Sequence, residues 1–131
     1  MGNISVKRIK TDEKKLFLYW LVFLKPYHGL RQKEMETVAV FLYYRHKLES
    51  EVLNKELIDK LLFSSDVRKN IMNELGMKSS YAFNNMLTSL RKRGVLSKDN
   101  IILPSLIPNF IAGSDNFKLI FNFEVNDVKQ S

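Results

Sequence analysis

The chain has 131 residues, 45% of them apolar, no cysteine, and a formal charge of +7 at neutral pH. Its length suits one domain with a packed core, and the missing thiols exclude a disulfide framework and a thiolate site. The longest apolar run, Leu16 to Leu24, falls well short of the ~20 residues of a spanning helix, so no membrane partner is expected; the positive charge points instead to a polyanion as a neighbour.

Met1 to Lys10 carries Lys7, Arg8 and Lys10 between Ile4, Val6 and Ile9 and reads as a basic N-terminal arm (1–10) without a secretory leader pattern. Residues 11–131 read as a single domain. Thr11-Asp12-Glu13 is a helix-start signal, since acids suit the first turn of a helix. The run Leu16 to Leu24 is apolar on every side, and its pattern leaves a buried helix and a buried strand both open. Lys25-Pro26-Tyr27-His28-Gly29 breaks it. Arg31 to Lys47 is helical, with Met35, Val38, Ala39 and Leu42 on one stripe and Phe41, Tyr44 and Leu48 widening it. A further helix starts near Asn54 with Leu57, Ile58, Leu61 and Leu62 inward. Ser64-Ser65 caps the next, Asp66 to Leu75, with Val67, Ile71 and Leu75 inward.

The most informative stretch is Leu75 to Leu96. Leu75-Gly76 reads as a helix terminus, because glycine tolerates the left-handed C-cap conformation. Ser79 or Ser80 can cap the following helix. In that helix Ala82, Phe83, Met86, Leu87 and Leu90 form an apolar stripe, and Tyr81, Asn84, Asn85, Thr88 and Arg91 take the other face. Gly94 ends it. Beyond it, Asn100 to Leu103 reads as a short strand, and Phe117 to Val125 alternates with period two as a half-buried strand. Between them runs a long apolar loop with Leu106, Ile107, Phe110 and Ile111 and no Lys or Arg.

Helix, tight turn, helix and strand pair resemble a winged helix-turn-helix, with the second helix as recognition helix, a wing at about 97–125 and a short tail at 126–131. The fold expected is therefore mainly α with a small β-hairpin (α+β). The resemblance implies that Ser80, Tyr81, Asn84, Asn85 and Thr88 face base edges and that Lys78, Arg91, Lys92 and Arg93 neutralise phosphates. The charge supports half of this. Lys78 to Lys98 holds five basic residues and no acidic one, whereas Asp99 to Ser131 holds two basic against four acidic. The tip of the expected wing therefore offers phosphates no cation.

The segment from Ser79 to Pro108 also resembles small structural proteins of tailed bacteriophages in the crAss-like group. That resemblance implies a virion component, such as a ring of the head-to-tail neck near packaged DNA. Neither His28 nor His46 stands in a His-Glu-x-x-His spacing, and no Gly-x-Ser-x-Gly element or phosphate loop is present. The sequence thus predicts a non-enzyme without metal, cofactor or small-molecule substrate. The favoured reading is a virion subunit that docks on other protein subunits, in a homo-oligomer or a mixed assembly, through Leu106, Ile107, Phe110 and Ile111. The alternative is a cytoplasmic winged-helix transcription or replication regulator bound to double-stranded DNA.

Overall fold

The computed structural model describes residues 13–108. The basic arm, Phe110 and Ile111, the alternating segment Phe117 to Val125 and the tail 126–131 lie outside the described residues.

Among the described residues the elements are α1 (Glu13–Phe23), α2 (Lys25–His28), α3 (Gln32–Glu49), α4 (Lys55–Leu62), α5 (Ser65–Glu74), α6 (Ser80–Lys92) and a one-turn 3₁₀ helix at Pro104–Leu106. The run left open between helix and strand is thus α1. Phe17 and Leu21, one helical turn apart, are fully buried, and Leu18, Trp20 and Leu24 pack at the edge of the same core. Helix α1 ends at Phe23. Pro26 is accommodated in the first turn of α2, where its missing N–H leaves no hydrogen bond unmade. Gly29 then takes a left-handed φ of 64° and closes that turn.

Helix α3 is the spine. Met35, Val38, Ala39, Phe41 and Leu42 are all buried, and so are Glu34, Thr37 and Arg45. Buried positions all around the helix mean that neighbours cover it on several sides. Helix α1 packs along it, with Phe17 edge-on to Tyr43 at 6.4 Å between ring centroids. Helix α4 closes another side: Phe41 stacks on Phe63 at 5.0 Å, and the buried Arg45 pairs with Glu49 and lies 3.6 Å from Asp59 Oδ1. Asn54 caps α4, its Oδ1 accepting from Glu56 N at 2.9 Å and Leu57 N at 3.2 Å. The inward stripe of α4 is narrower than the sequence predicts. Ile58 and Leu62, which face α3 and α5, are buried, Leu61 is half-buried and Leu57 is exposed. One apolar cluster then runs from α1 through α3 to Ile71 of α5, Phe83, Leu87 and Leu90 of α6, and on to Val95, Leu96, Ile102 and Leu106.

The expected β-hairpin is corrected by the described residues, which are helical and contain no strand. Where the wing was to start, at 97–108, the chain makes a single antiparallel bridge between Leu96 and Ile102. Ser97 N donates to Ile101 O at 2.9 Å and Leu103 N to Val95 O at 2.9 Å, with Asn100 at the tip in a left-handed conformation, φ 63°. The ladder stops there for a local reason. Pro104 has no N–H to donate, and residues 104–106 coil inward to bury Leu106. Trp20 Nε1 donates to Leu106 O at 2.7 Å and locks the coil against α1.

Candidate nucleic-acid interface

The turn between α5 and α6 is built from one glycine closure and one serine cap. Gly76 adopts φ 68°, and the N–H of Met77 returns to Met72 O at 2.9 Å while that of Gly76 returns to Asn73 O at 3.1 Å. This paired closure satisfies carbonyls that the end of α5 would otherwise leave open. Ser79 Oγ then accepts from Ala82 N at 3.2 Å and opens α6. The far end closes in the same paired way, with Gly94 at φ 78° and Val95 N on Leu90 O at 3.2 Å.

Helix α6 is held from one side. Phe83 sits 6.0 Å from Phe41 of α3, and the Arg68 guanidinium of α5 lies 5.6 Å over the Phe83 ring. With Phe83, Leu87 and Leu90 inward, the opposite face holds Tyr81, Asn84, Asn85, Thr88 and Lys92, all exposed, together with Ser80 and Ala82. Tyr81 is 77% exposed. The apolar stripe predicted for this helix is right for Phe83, Leu87 and Leu90, while Met86 is half-buried and Ala82 is outside.

The predicted phosphate-binding cations separate into two kinds. Lys78 and Lys92 are exposed at the two ends of α6. Arg91 is half-buried and donates through Nη2 to Asn100 Oδ1, so it braces the 97–101 turn. Arg93 Nε lies 3.5 Å from Glu34 Oε2. Glu34 is a buried node at the start of α3: its Oε1 accepts from Arg31 N at 2.8 Å, and its Oε2 accepts from Ser89 Oγ at 2.6 Å. Burial pushes the Glu34 carboxyl up, but the Ser89 and Arg31 hydrogen bonds and the Arg93 and Arg31 charges outweigh it. The carboxyl stays below its ordinary value and is ionised at neutral pH. Its charge is spent inside the fold.

That node brings the N-terminus of α3 beside α6. Arg31, Gln32, Lys33, Glu34, Met86 and Ser89 line a shallow open depression there, and the Arg31 and Lys33 side chains are exposed on its α3 side. The sequence reading did not single out Arg31 or Lys33. Arg31 and Glu34 have the spacing of a capping pair, the local signal that this helix starts here; the approach to α6 depends on Ser89, far along the chain.

The remaining predicted residues go elsewhere. Leu106, expected on a docking surface, is 0% exposed because the Pro104–Leu106 coil turns it in, and Ile107 is half-buried against the core. Phe110 and Ile111 lie outside the described residues. His28 is structural: its Nε2–H donates to Leu21 O at 2.6 Å and its bare Nδ1 accepts from Leu30 N at 2.9 Å. His46 lies against Phe17 at 5.8 Å between ring centroids and 3.9 Å from Glu49 Oε2. Among the described residues no group of three or more His, Cys, Asp or Glu side chains is placed to hold a metal ion, and no helix is long and apolar enough to cross a membrane. No family model, no curated protein and no solved structure matches this chain.

Proposed function

We propose that the protein is a non-catalytic duplex-DNA-binding protein that presents α6 to the major groove and contacts flanking phosphates from Lys78, Lys92 and the α3 start. The observation that carries this reading is the outward face of α6. It bears Tyr81, Asn84, Asn85 and Thr88 exposed, with a lysine at each end and no acidic residue on the helix. The helix is ~20 Å long, enough to cross a groove ~12 Å wide and bring both ends near phosphates. Arg31 and Lys33 extend the positive rim sideways on α3. The reading is tested by titrating duplex DNA at two salt concentrations. Binding that weakens steeply with salt, and more gently in Lys78→Ala and Lys92→Ala, supports it. No binding at low salt refutes it.

A second reading keeps the protein as a subunit of a larger assembly, as the phage resemblance of residues 79–108 implies. Of the docking loop expected for it, Leu106 is buried and Ile107 is half-buried. What favours it instead is a set of exposed apolar side chains on α1 and α2: Tyr19, Val22 and Phe23 fall at helical spacing on α1 and Tyr27 follows on α2, each about half exposed or more. A single mass in solution, equal to the monomer at all concentrations and unchanged in Val22→Asp, argues against it.

A further inference from the structure

Resting on the DNA reading above, we infer that the α6 face selects A·T over G·C base pairs in the major groove. Between Lys78 and Arg91 lie twelve residues, Ser79 to Leu90, none of them charged. An exposed helical face ordinarily carries charge; this one carries amides, hydroxyls, a phenol ring and methyl groups. The chemistry is one-sided. Guanine is read best by Arg or Lys, donors to both O6 and N7, and this face places neither opposite a base. Adenine presents one acceptor, N7, and one donor, N6, which a carboxamide matches with its own donor and acceptor. Asn84 and Asn85 are exposed, and neither side-chain amide is engaged by a hydrogen bond among the described residues. Thymine adds a methyl group, which calls for apolar contact. Exposed Ala82 and Tyr81 provide it at the start of the helix. Thr88 adds a third contact, since its hydroxyl proton is committed to Asn84 O at 3.0 Å and its methyl remains. The lysines stand only at the ends, where they meet phosphates and carry no base information.

The test uses the full chain and three equal-length duplexes that differ only in a central block of A·T, G·C or inosine·C pairs. Inosine·C presents the major-groove pattern of G·C but lacks the minor-groove amino group, as A·T does. The expected result is tighter binding to A·T than to G·C by roughly 5- to 100-fold, with inosine·C behaving as G·C. Asn84→Ala and Asn85→Ala should lose most of that preference, weakening A·T binding more than G·C binding, and should keep their melting temperature, since both side chains are exposed. Deoxyuridine in place of thymine should weaken the wild type and leave Tyr81→Ala less affected. Equal affinity for A·T and G·C overturns the inference and leaves the DNA reading standing. Inosine·C behaving as A·T overturns it too, and with it the placement of α6 in the major groove, because recognition would then lie in the minor groove; DNA binding as such would stand. Failure to bind any of the three at low salt overturns the DNA reading and this inference together.

Discussion

Ser89 Oγ on α6 lies 2.6 Å from Glu34 Oε2 on α3. This contact joins the helix proposed to meet DNA to the spine of the fold, and it involves an ionised, almost fully buried carboxylate. A hydrogen bond to a charged buried group is worth ~1.5–3 kcal/mol. Ser89→Ala removes the donor and leaves the carboxylate with Arg31 N and the looser Arg93. The expected outcome is a loss of stability in that range by urea denaturation. Hydrogen exchange in the last turns of α6 should speed up, and exchange in α1 should stay unchanged.

The same carboxylate gives a pH dependence with a definite sign. Its folded-state pKa lies below the ordinary 4.5, so the folded form binds the proton less readily than the unfolded form. The stabilisation is fully present above 4.5 and is lost as pH falls through the depressed folded value. Glu34→Gln should therefore be less stable than wild type near neutrality. The gap should narrow as urea melts are repeated below pH 4.5. A gap that stays constant across the acid range would contradict this account of Glu34.

His28 joins the end of α1 to the start of α3 through both ring nitrogens. Leu21 O can only accept and Leu30 N can only donate, so the ring carries its proton on Nε2 and none on Nδ1. His28→Leu keeps much of the volume and leaves a carbonyl and an amide unmatched. The expected cost is ~1–3 kcal/mol in a urea melt.

The basic residues near the two ends of α6 should divide by experiment as they do by contact. Lys92→Ala and Lys78→Ala should leave the melting temperature within measurement error. Each should reduce the slope of log affinity against log salt by ~0.9 if it meets one phosphate. Arg91→Ala should instead destabilise, because it unties Asn100 and the 97–101 turn. A variant series in which Arg91 alone changes the salt slope would reverse the assignment.

What the sequence reveals here is what is local. Asn54, Ser79, Gly76 and Gly94 mark helix ends because a cap needs only its own next few residues, and all four serve as caps. The inward stripes of α3 and α6 follow from spacing for the same reason. Distant partners are what spacing cannot supply. Arg91 and Arg93 look alike in a basic run, yet one turns to Asn100 and the other to Glu34. Leu16 to Leu24 is apolar all round, so its period could not distinguish helix from strand until α3 appeared as its neighbour. The short strand expected at Asn100 to Leu103 reduces to one bridge, because Pro104 ends the ladder just after it starts.

The reassigned apolar loop gives a last prediction. A leucine at an exposed docking surface can be shortened without harm to the folded monomer. Leu106 has no exposed surface, lies against the α1 core and carries the carbonyl that Trp20 binds. Leu106→Ala leaves a cavity that the 3₁₀ turn, pinned by Trp20, cannot readily collapse to fill. The expected cost is ~2–5 kcal/mol. Val22→Asp is the contrasting variant, because Val22 is half exposed on α1 and adds a charge to a surface already in water. It should leave the monomer's melting temperature nearly unchanged and abolish any concentration-dependent increase in mass measured by sedimentation. If Leu106→Ala melts like wild type while Val22→Asp unfolds the chain, then the inward and outward sides of α1 have been assigned the wrong way round.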